Sequence, residues 1–331
     1  MGGPAGKALL GSVLMIRVFY GNGSELHWEK NPATLRGGSN EHIIWVDLQE
    51  PTQEEKKRVE NEFGIEFFTP QEAAEIESSS RYFEDSEGFE ANTAFMVKEE
   101  KGYNTRQVSF ILRGNTLFTF RDADLNSFAE TVRKLKTIRK GSSSKAVQIW
   151  LLLIETQIDL DADFIEYLTR VTNTVSKKLV KERSVEEETL LRITQLQEYT
   201  ILIRGSIMDK QRLVSSLLRS ERLDKPEIVR LRVILKDINS LLQHTQFSFE
   251  RLEYLQNTFL GLVNIDQNQV IKIFTVVTVI FLPPTLIASI YGMNFEYMPE
   301  LKWRLGYPFA IGLMILSSLL FLWFFKRKNW L

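Results

Sequence analysis

The chain contains no cysteine. That absence excludes a disulfide framework, a thiolate metal site and a cysteine nucleophile. Its three histidines, His27, His42 and His244, lie far apart in sequence and do not suggest a histidine-rich metal cage. An excess of either charge is also missing. Lys plus Arg total 41 and Asp plus Glu total 42, for a net charge of −1. A chain-wide basic nucleic-acid binder and an acidic disordered chain are both excluded by that balance. There is no glycine-rich loop ending in Lys-Ser or Lys-Thr, so a nucleotide partner is not expected. No Ser/His/Asp constellation can be assembled from spacing. Acidic runs such as Glu186-Glu187-Glu188 read as solvated helix faces, so the chain is not read as an enzyme.

Charge is missing altogether from two stretches near the C-terminus. Ile273 to Phe295 is 23 residues and Leu305 to Phe325 is 21 residues without Asp, Glu, Lys or Arg. A helix needs about 20 apolar residues to cross the hydrocarbon core of a bilayer, whereas buried core helices of this character usually run to about 10–14. Two spans are therefore expected, at about 272–291 and 305–325, with an outer loop at 292–304. Tyr291, Tyr297, Trp303 and Tyr307 flank the link, and Trp323 and Trp330 flank the far end, as interfacial aromatic belts do. Lys326-Arg327-Lys328 follows the second span and reads as cytoplasmic. With two spans, the N-terminal part shares that side, and both termini are expected in the cytoplasm. Residues 1–272 hold 40 acidic and 36 basic residues, a net of −4. Residues 1–14 are rich in Gly and Ala and read as a leader or cloning remnant.

Residues 15–122 alternate strand-like and helix-like runs. MIRVFY (15–20) and HIIWVDL (42–48) read as strands, the second apolar enough to be covered on both faces. Thr52-Gln53-Glu54-Glu55 is a capping box opening a helix to about Phe63. Thr69-Pro70-Gln71-Glu72 is a second one, with Pro at the first helical position. FEANTAFMV, QVSFILRG and TLFTFRD then read as strands. Together they predict an α/β domain with a covered sheet. From Asp124 onward the pattern is helical, over Leu151–Val180, Glu186–Leu218 and Pro226–Ile290. Between Pro226 and Pro283 the one Gly or Pro is Gly261. A single helix over Pro226–Ile290 would be about 97 Å long. It would run straight into the first span and needs copies of itself for support.

Polar and small residues recur along one side of this helix. Asn257, Asn264, Asn268, Ile271, Phe274 or Thr275, Thr278, Leu282, Thr285 and Ser289 follow at steps of three, four or seven. Single Thr and Ser hydroxyls in membrane helices often bond their own backbone. The seam as a whole is better explained by a pore shared among several copies, because two spans alone enclose no path. Pro283-Pro284 sits mid-span and reads as a packing kink.

Directly after the first span comes Tyr291-Gly292-Met293-Asn294, and the link continues Phe295-Glu296-Tyr297-Met298-Pro299-Glu300-Leu301. In this setting the sequence resembles the CorA family of magnesium and cobalt transport proteins, of the enterobacterial type. The resemblance extends through Asn264-Ile265-Asp266-Gln267-Asn268, Phe281-Leu282-Pro283-Pro284-Thr285, Trp45-Val46-Asp47-Leu48 and Arg81-Tyr82-Phe83-Glu84-Asp85. It implies a funnel-shaped homopentamer in the cell inner membrane. Residues 15–255 would form an α/β/α cytoplasmic domain with a helical bundle and stalk, and 256–331 the inner stalk and pore. Gly292, Met293 and Asn294 would form the outer mouth. Asn268, Ile271, Phe274, Leu282 and Thr285 would line the pore, with Thr278 and Ser289 on the same seam. Mg²⁺ would be both the transported and the regulatory ion, Co²⁺ an alternative substrate and Ni²⁺ a further candidate. Glu72 and Asn257 are candidate regulatory positions, although relatives carry an Asp where this chain has Asn257. Glu296 and Glu300 would raise the cation concentration outside the mouth, or act as ordinary loop charges.

Mg²⁺ dehydrates reluctantly, so neutral Asn carbonyls that accept hydrogen bonds from its water shell suit it. The apolar Leu282, Phe274 and Ile271 suit a constriction closed by dewetting. With no Cys and few His, oxygen ligands remain, which fits magnesium better than a softer metal. Two other readings stay open: a zinc transporter of the ZntB type, whose members usually depart from Met at the position of Met293, and a membrane-anchored coiled-coil tether with no ion path.

Overall fold

The computed structural model describes residues 15–22, 25–32, 35, 42–69, 72, 81–100, 102–135, 144–183, 186–294 and 296–328. Residues 1–14, expected as a leader, lie outside them, as do Phe295 and Trp330.

Seven strands form one mixed sheet: β1 (Met15–Asn22), β2 (Glu25–Lys30), β3 (His42–Gln49), β4 (Tyr82–Glu84), β5 (Gly88–Glu99), β6 (Gly102–Arg113) and β7 (Thr116–Arg121). Their order is β2-β1-β3-β7-β6-β5-β4. Only β3 and β7 pair in parallel, with Trp45 opposite Leu117 and Leu48 opposite Phe120. The apolar run of β3 is buried from Ile44 through Gln49, as expected of a central strand with both faces covered. One face carries a core with Val46, Leu48, Ile111 and Phe118, closed by Val59 of α1 (Gln53–Phe63). The other carries a larger core with Trp45, Phe95, Phe110 and Trp150. Strand β2 was not expected. Its alternation is confined to Leu26 and the half-exposed Trp28 between charged residues, a short signal in keeping with an edge strand.

Helix α1 starts where the capping box puts it. The Thr52 hydroxyl oxygen accepts from the Glu55 N–H at 3.2 Å, and the Thr52 N–H donates to the Glu55 carboxylate at 2.8 Å. It stops at Gly64, whose φ of +64° is a left-handed conformation that glycine adopts without a Cβ penalty. The reciprocal bonds of the second box are also present, between Thr69 and Glu72.

Four helices follow: α2 (Asn126–Lys134), α3 (Lys145–Glu182), α4 (Glu187–Leu217) and α5 (Lys225–Tyr291). Helix α3 begins six residues before the expected Leu151, because Ala146, Val147, Ile149 and Trp150 are buried against the sheet. A fully buried ion pair, Asp161 with Lys210 at 3.0 Å, ties α3 to α4. The same ammonium donates to the Ala94 carbonyl at 2.9 Å, anchoring both helices on β5. Burial pushes the Asp161 carboxyl above its ordinary range, with Lys210 and Gln157 opposing.

Helix α5 has 67 residues, about 100 Å at 1.5 Å per residue. It runs unbroken through Pro283 and Pro284. Its first part packs on α4, with amide rungs Gln211 to Asn239 (2.6 Å) and Gln197 to Gln256 (3.1 Å). Arg230 near its start forks onto Glu155 of α3. After a 3₁₀ turn (Pro299–Lys302), α6 (Gly306–Arg327) returns alongside the last turns of α5.

Candidate functional site

At 100° per residue, Asn268, Ile271, Phe274, Thr278, Leu282, Thr285 and Ser289 fall within an arc about 120° wide on α5. All seven are exposed in the subunit. Helix α6 packs on the opposite side. There Val276 is buried, and Val279, Ile280, Pro283, Pro284 and Ile287 are half-buried, while the half-buried Thr275 lies at the edge of the seam. The second span thus backs the first and leaves the polar seam uncovered. Both helices are long and apolar enough to cross a membrane, and little of the apolar stretch of each is buried within the subunit. That distinguishes them from core helices, which are mostly buried.

Two seam hydroxyls and one neighbour bond their own helix. Thr275 donates to the Ile271 carbonyl (2.8 Å), Thr278 to Phe274 (2.8 Å) and Thr285 to Phe281 (2.7 Å). A threonine hydroxyl has one donor and two acceptor lone pairs. With the donor engaged, Thr278 and Thr285 present acceptors outward. Acceptors are what the water shell of a cation requires.

The proline pair leaves backbone carbonyls without their usual partners. Pro284 has no N–H to give to Ile280 four residues back. The Ser318 hydroxyl of α6 donates to that Ile280 carbonyl instead, at 3.4 Å. Ser318 was not among the expected site residues. Its signal was a Ser317-Ser318 pair in an otherwise apolar span.

Gly292, Met293 and Asn294 follow the last turn of α5 and are exposed. The Gly292 N–H closes the helix on the Ala288 carbonyl at 2.9 Å, and Met293 bonds the Ile290 carbonyl at 3.2 Å. A Cβ at Gly292 would stand 3.2 Å from the Ala288 oxygen, a tight fit that favours glycine. Asn294 therefore sits at the C-terminal, partially negative end of a long helix dipole, which favours cations. Glu296 and Glu300 are exposed in the link. A Cβ at Gly306 would collide with the Glu300 carbonyl, so Gly306 lets the Met-Pro-Glu-Leu turn fold onto the start of α6.

The two regulatory candidates are not joined in one subunit by any described contact. Glu72 accepts from the Thr69 N–H and hydroxyl, both at 2.8 Å. Those bonds hold its carboxyl below the ordinary range. Asn257 is exposed on α5. Among the described residues, no three His, Cys, Asp or Glu side chains gather to hold a metal.

Comparisons with known proteins agree with this geometry. Residues 40–327 match the model of the family described as CorA-like Mg²⁺ transporter protein. The magnesium transport protein CorA of Escherichia coli K12 is 40% identical over 297 residues, covering 88% of this chain and 92% of that protein. The full-length CorA structure from Methanocaldococcus jannaschii superimposes with a TM-score of 0.79 at 20% identity, over 97% of this chain and all of that one. The ZntB cytoplasmic domain from Vibrio parahaemolyticus gives 0.58 at 16% identity, over 77% of this chain and 99% of that one, a likeness of fold alone. The sheet, the long helix that ends at Gly292-Met293-Asn294 and the matched span of 40–327 converge on one assignment: the chain belongs to the CorA family of Mg²⁺ transporters.

Proposed function

We propose that this chain is the subunit of a homopentameric channel that carries Mg²⁺ into the cell, with Co²⁺ as an alternative substrate. The observation that carries the reading is the exposed polar seam of α5, opposite the face covered by α6. Five copies arranged with this seam inward would form a continuous path. The boundary between cytoplasmic and pore parts then falls near residues 255–256, and both termini lie in the cytoplasm.

Asn294 receives the hydrated ion at the mouth, where the helix ends supply negative potential without a carboxylate that would trap it. Thr285, Thr278 and Asn268 repeat the acceptor chemistry deeper in the path. Leu282, Phe274 and Ile271 close it by dewetting. Glu296 and Glu300 enrich cations outside. The absence of a three-ligand cluster among the described residues of one subunit favours a regulatory Mg²⁺ held between subunits, for which Glu72 and Asn257 are candidate contributors.

The test is uptake of Mg²⁺, Co²⁺ and Zn²⁺ into proteoliposomes. Wild type is expected to take up Mg²⁺, and Asn294→Ala to lose that uptake while keeping its assembly mass. Undiminished uptake in Asn294→Ala would sink the mouth assignment. Uptake of Zn²⁺ in preference to Mg²⁺ would instead favour a ZntB-type activity.

A further inference from the structure

Where α5 ends and α6 begins, the two helices and the link enclose a cavity of about 430 Å³. Its inner wall is Ala310, Ile311 and Met314, within the second span. Its outer wall carries Tyr291, Glu300 and Arg304. The cavity therefore straddles the depth at which acyl chains give way to headgroups, marked by the aromatic residues of the link. Its volume is in the range of small-ligand sites, about 300–1,000 Å³.

Two opposite charges line the outer wall, and among the described residues neither Glu300 nor Arg304 makes an ion pair. A site that offers one guanidinium and one carboxylate complements a headgroup with one phosphate and one ammonium. The guanidinium fork matches phosphate oxygens. The carboxylate and the Tyr291 ring both attract an ammonium. An anionic headgroup without an ammonium would meet Glu300 with nothing to offset it. The inner wall is small at Ala310 and adaptable at Met314, which suits an acyl chain.

We propose that this cavity binds a zwitterionic aminophospholipid, its phosphate on Arg304, its ammonium on Glu300, and one acyl chain past Ala310, Ile311 and Met314. The proposal rests on the reading of α5 and α6 as membrane spans. A bound lipid of this kind would fix the link, and with it the mouth, to the second span.

Native mass spectrometry of the full-length assembly tests it, with phosphatidylethanolamine and phosphatidylglycerol of identical chains added in equal amounts. Wild type is expected to retain the ethanolamine lipid about fivefold over the glycerol lipid, equivalent to ~1 kcal/mol. Arg304→Gln should lose retention of both, Arg304→Lys should keep part of it, and Glu300→Gln should shift preference toward the glycerol lipid. Equal retention of the two lipids by wild type overturns the proposal. So does unchanged retention in Arg304→Gln. Assembly that falls apart in Arg304→Gln, with lipid retention unchanged in Glu300→Gln, overturns it in favour of a neighbouring subunit in the cavity. Mg²⁺ uptake by wild type, measured separately, keeps the two readings apart. Lipid preference without uptake sinks the transport reading alone, and uptake without preference sinks the lipid site alone.

Discussion

Asp47 shows how one residue can hold a sheet together. Its carboxylate is fully buried and accepts from Arg121 at 3.1 and 3.2 Å and from Arg17 at 3.1 Å. The Thr119 hydroxyl adds a bond at 2.8 Å and itself accepts from the Trp45 indole N–H at 3.0 Å. Arg121 also donates to Gln49 and stands over the Phe128 ring. Burial alone would raise the Asp47 carboxyl, but Arg121 and Arg17 overcome it and hold it below the ordinary value. Removing one partner of a buried pair costs about 3–5 kcal/mol. Arg121→Met should therefore lower the melting temperature by about 10 °C in detergent. The pH dependence has a definite sign. A depressed carboxyl stabilises the fold above its unfolded value and loses that contribution as pH falls through its folded value. Wild type should thus lose stability below about pH 4, and Asp47→Asn should show a shallower acid limb from a lower starting stability. Trp45-Val46-Asp47-Leu48 stood out in the sequence, but its purpose did not. The partners of Asp47 lie 30 to 74 residues away, and no local pattern connects them.

Among the elements, α5 was legible almost to its ends, because a helical pattern over some 65 residues with a single Gly leaves no alternative. The spacing that puts its seam on one face was read from the sequence too, and those residues are exposed in the subunit. The proline pair was noticed, but the bond that answers it was not, since Ser318 lies on another helix. That bond makes a prediction. An interhelical hydrogen bond in a membrane is worth about 0.6 kcal/mol on average. Ser318→Ala should lower thermal stability by a corresponding small amount, and Ser318→Thr should retain it. The decisive measurement is the double-mutant cycle. Pro284→Ala restores the N–H that Ile280 lacks, so Ser318→Ala should cost nothing further in that background. Additive losses in the cycle would show that Ser318 matters only through packing.

At the scale of the whole molecule, one subunit leaves large apolar side chains uncovered. Val233, Phe247 and Tyr254 are more than half exposed on the first part of α5, and Phe274, Leu282 and Leu286 on its apolar last part. Exposed apolar side chains in this number point to a cover of other subunits or lipid. The family resemblance implied a pentamer, whereas the length of the helix pointed no further than association. The driving force follows from charge and geometry alone. A divalent ion moving to a negative interior gains about 4.6 kcal/mol per 100 mV, twice the value for one charge. Each tenfold of accumulation takes about 1.4 kcal/mol, so the equilibrium ratio of free Mg²⁺ should rise by one decade per about 30 mV, the ratio of the two figures. Vesicles with the potential set by a potassium gradient and valinomycin read this slope directly. A slope of one decade per about 30 mV, abolished at zero potential and unaffected by ATP, is the expected result. A slope near 60 mV per decade would mean that one net charge moves per cycle. Mg²⁺ would then be exchanged for a counter-ion, and an open path along the α5 seam would be the wrong mechanism.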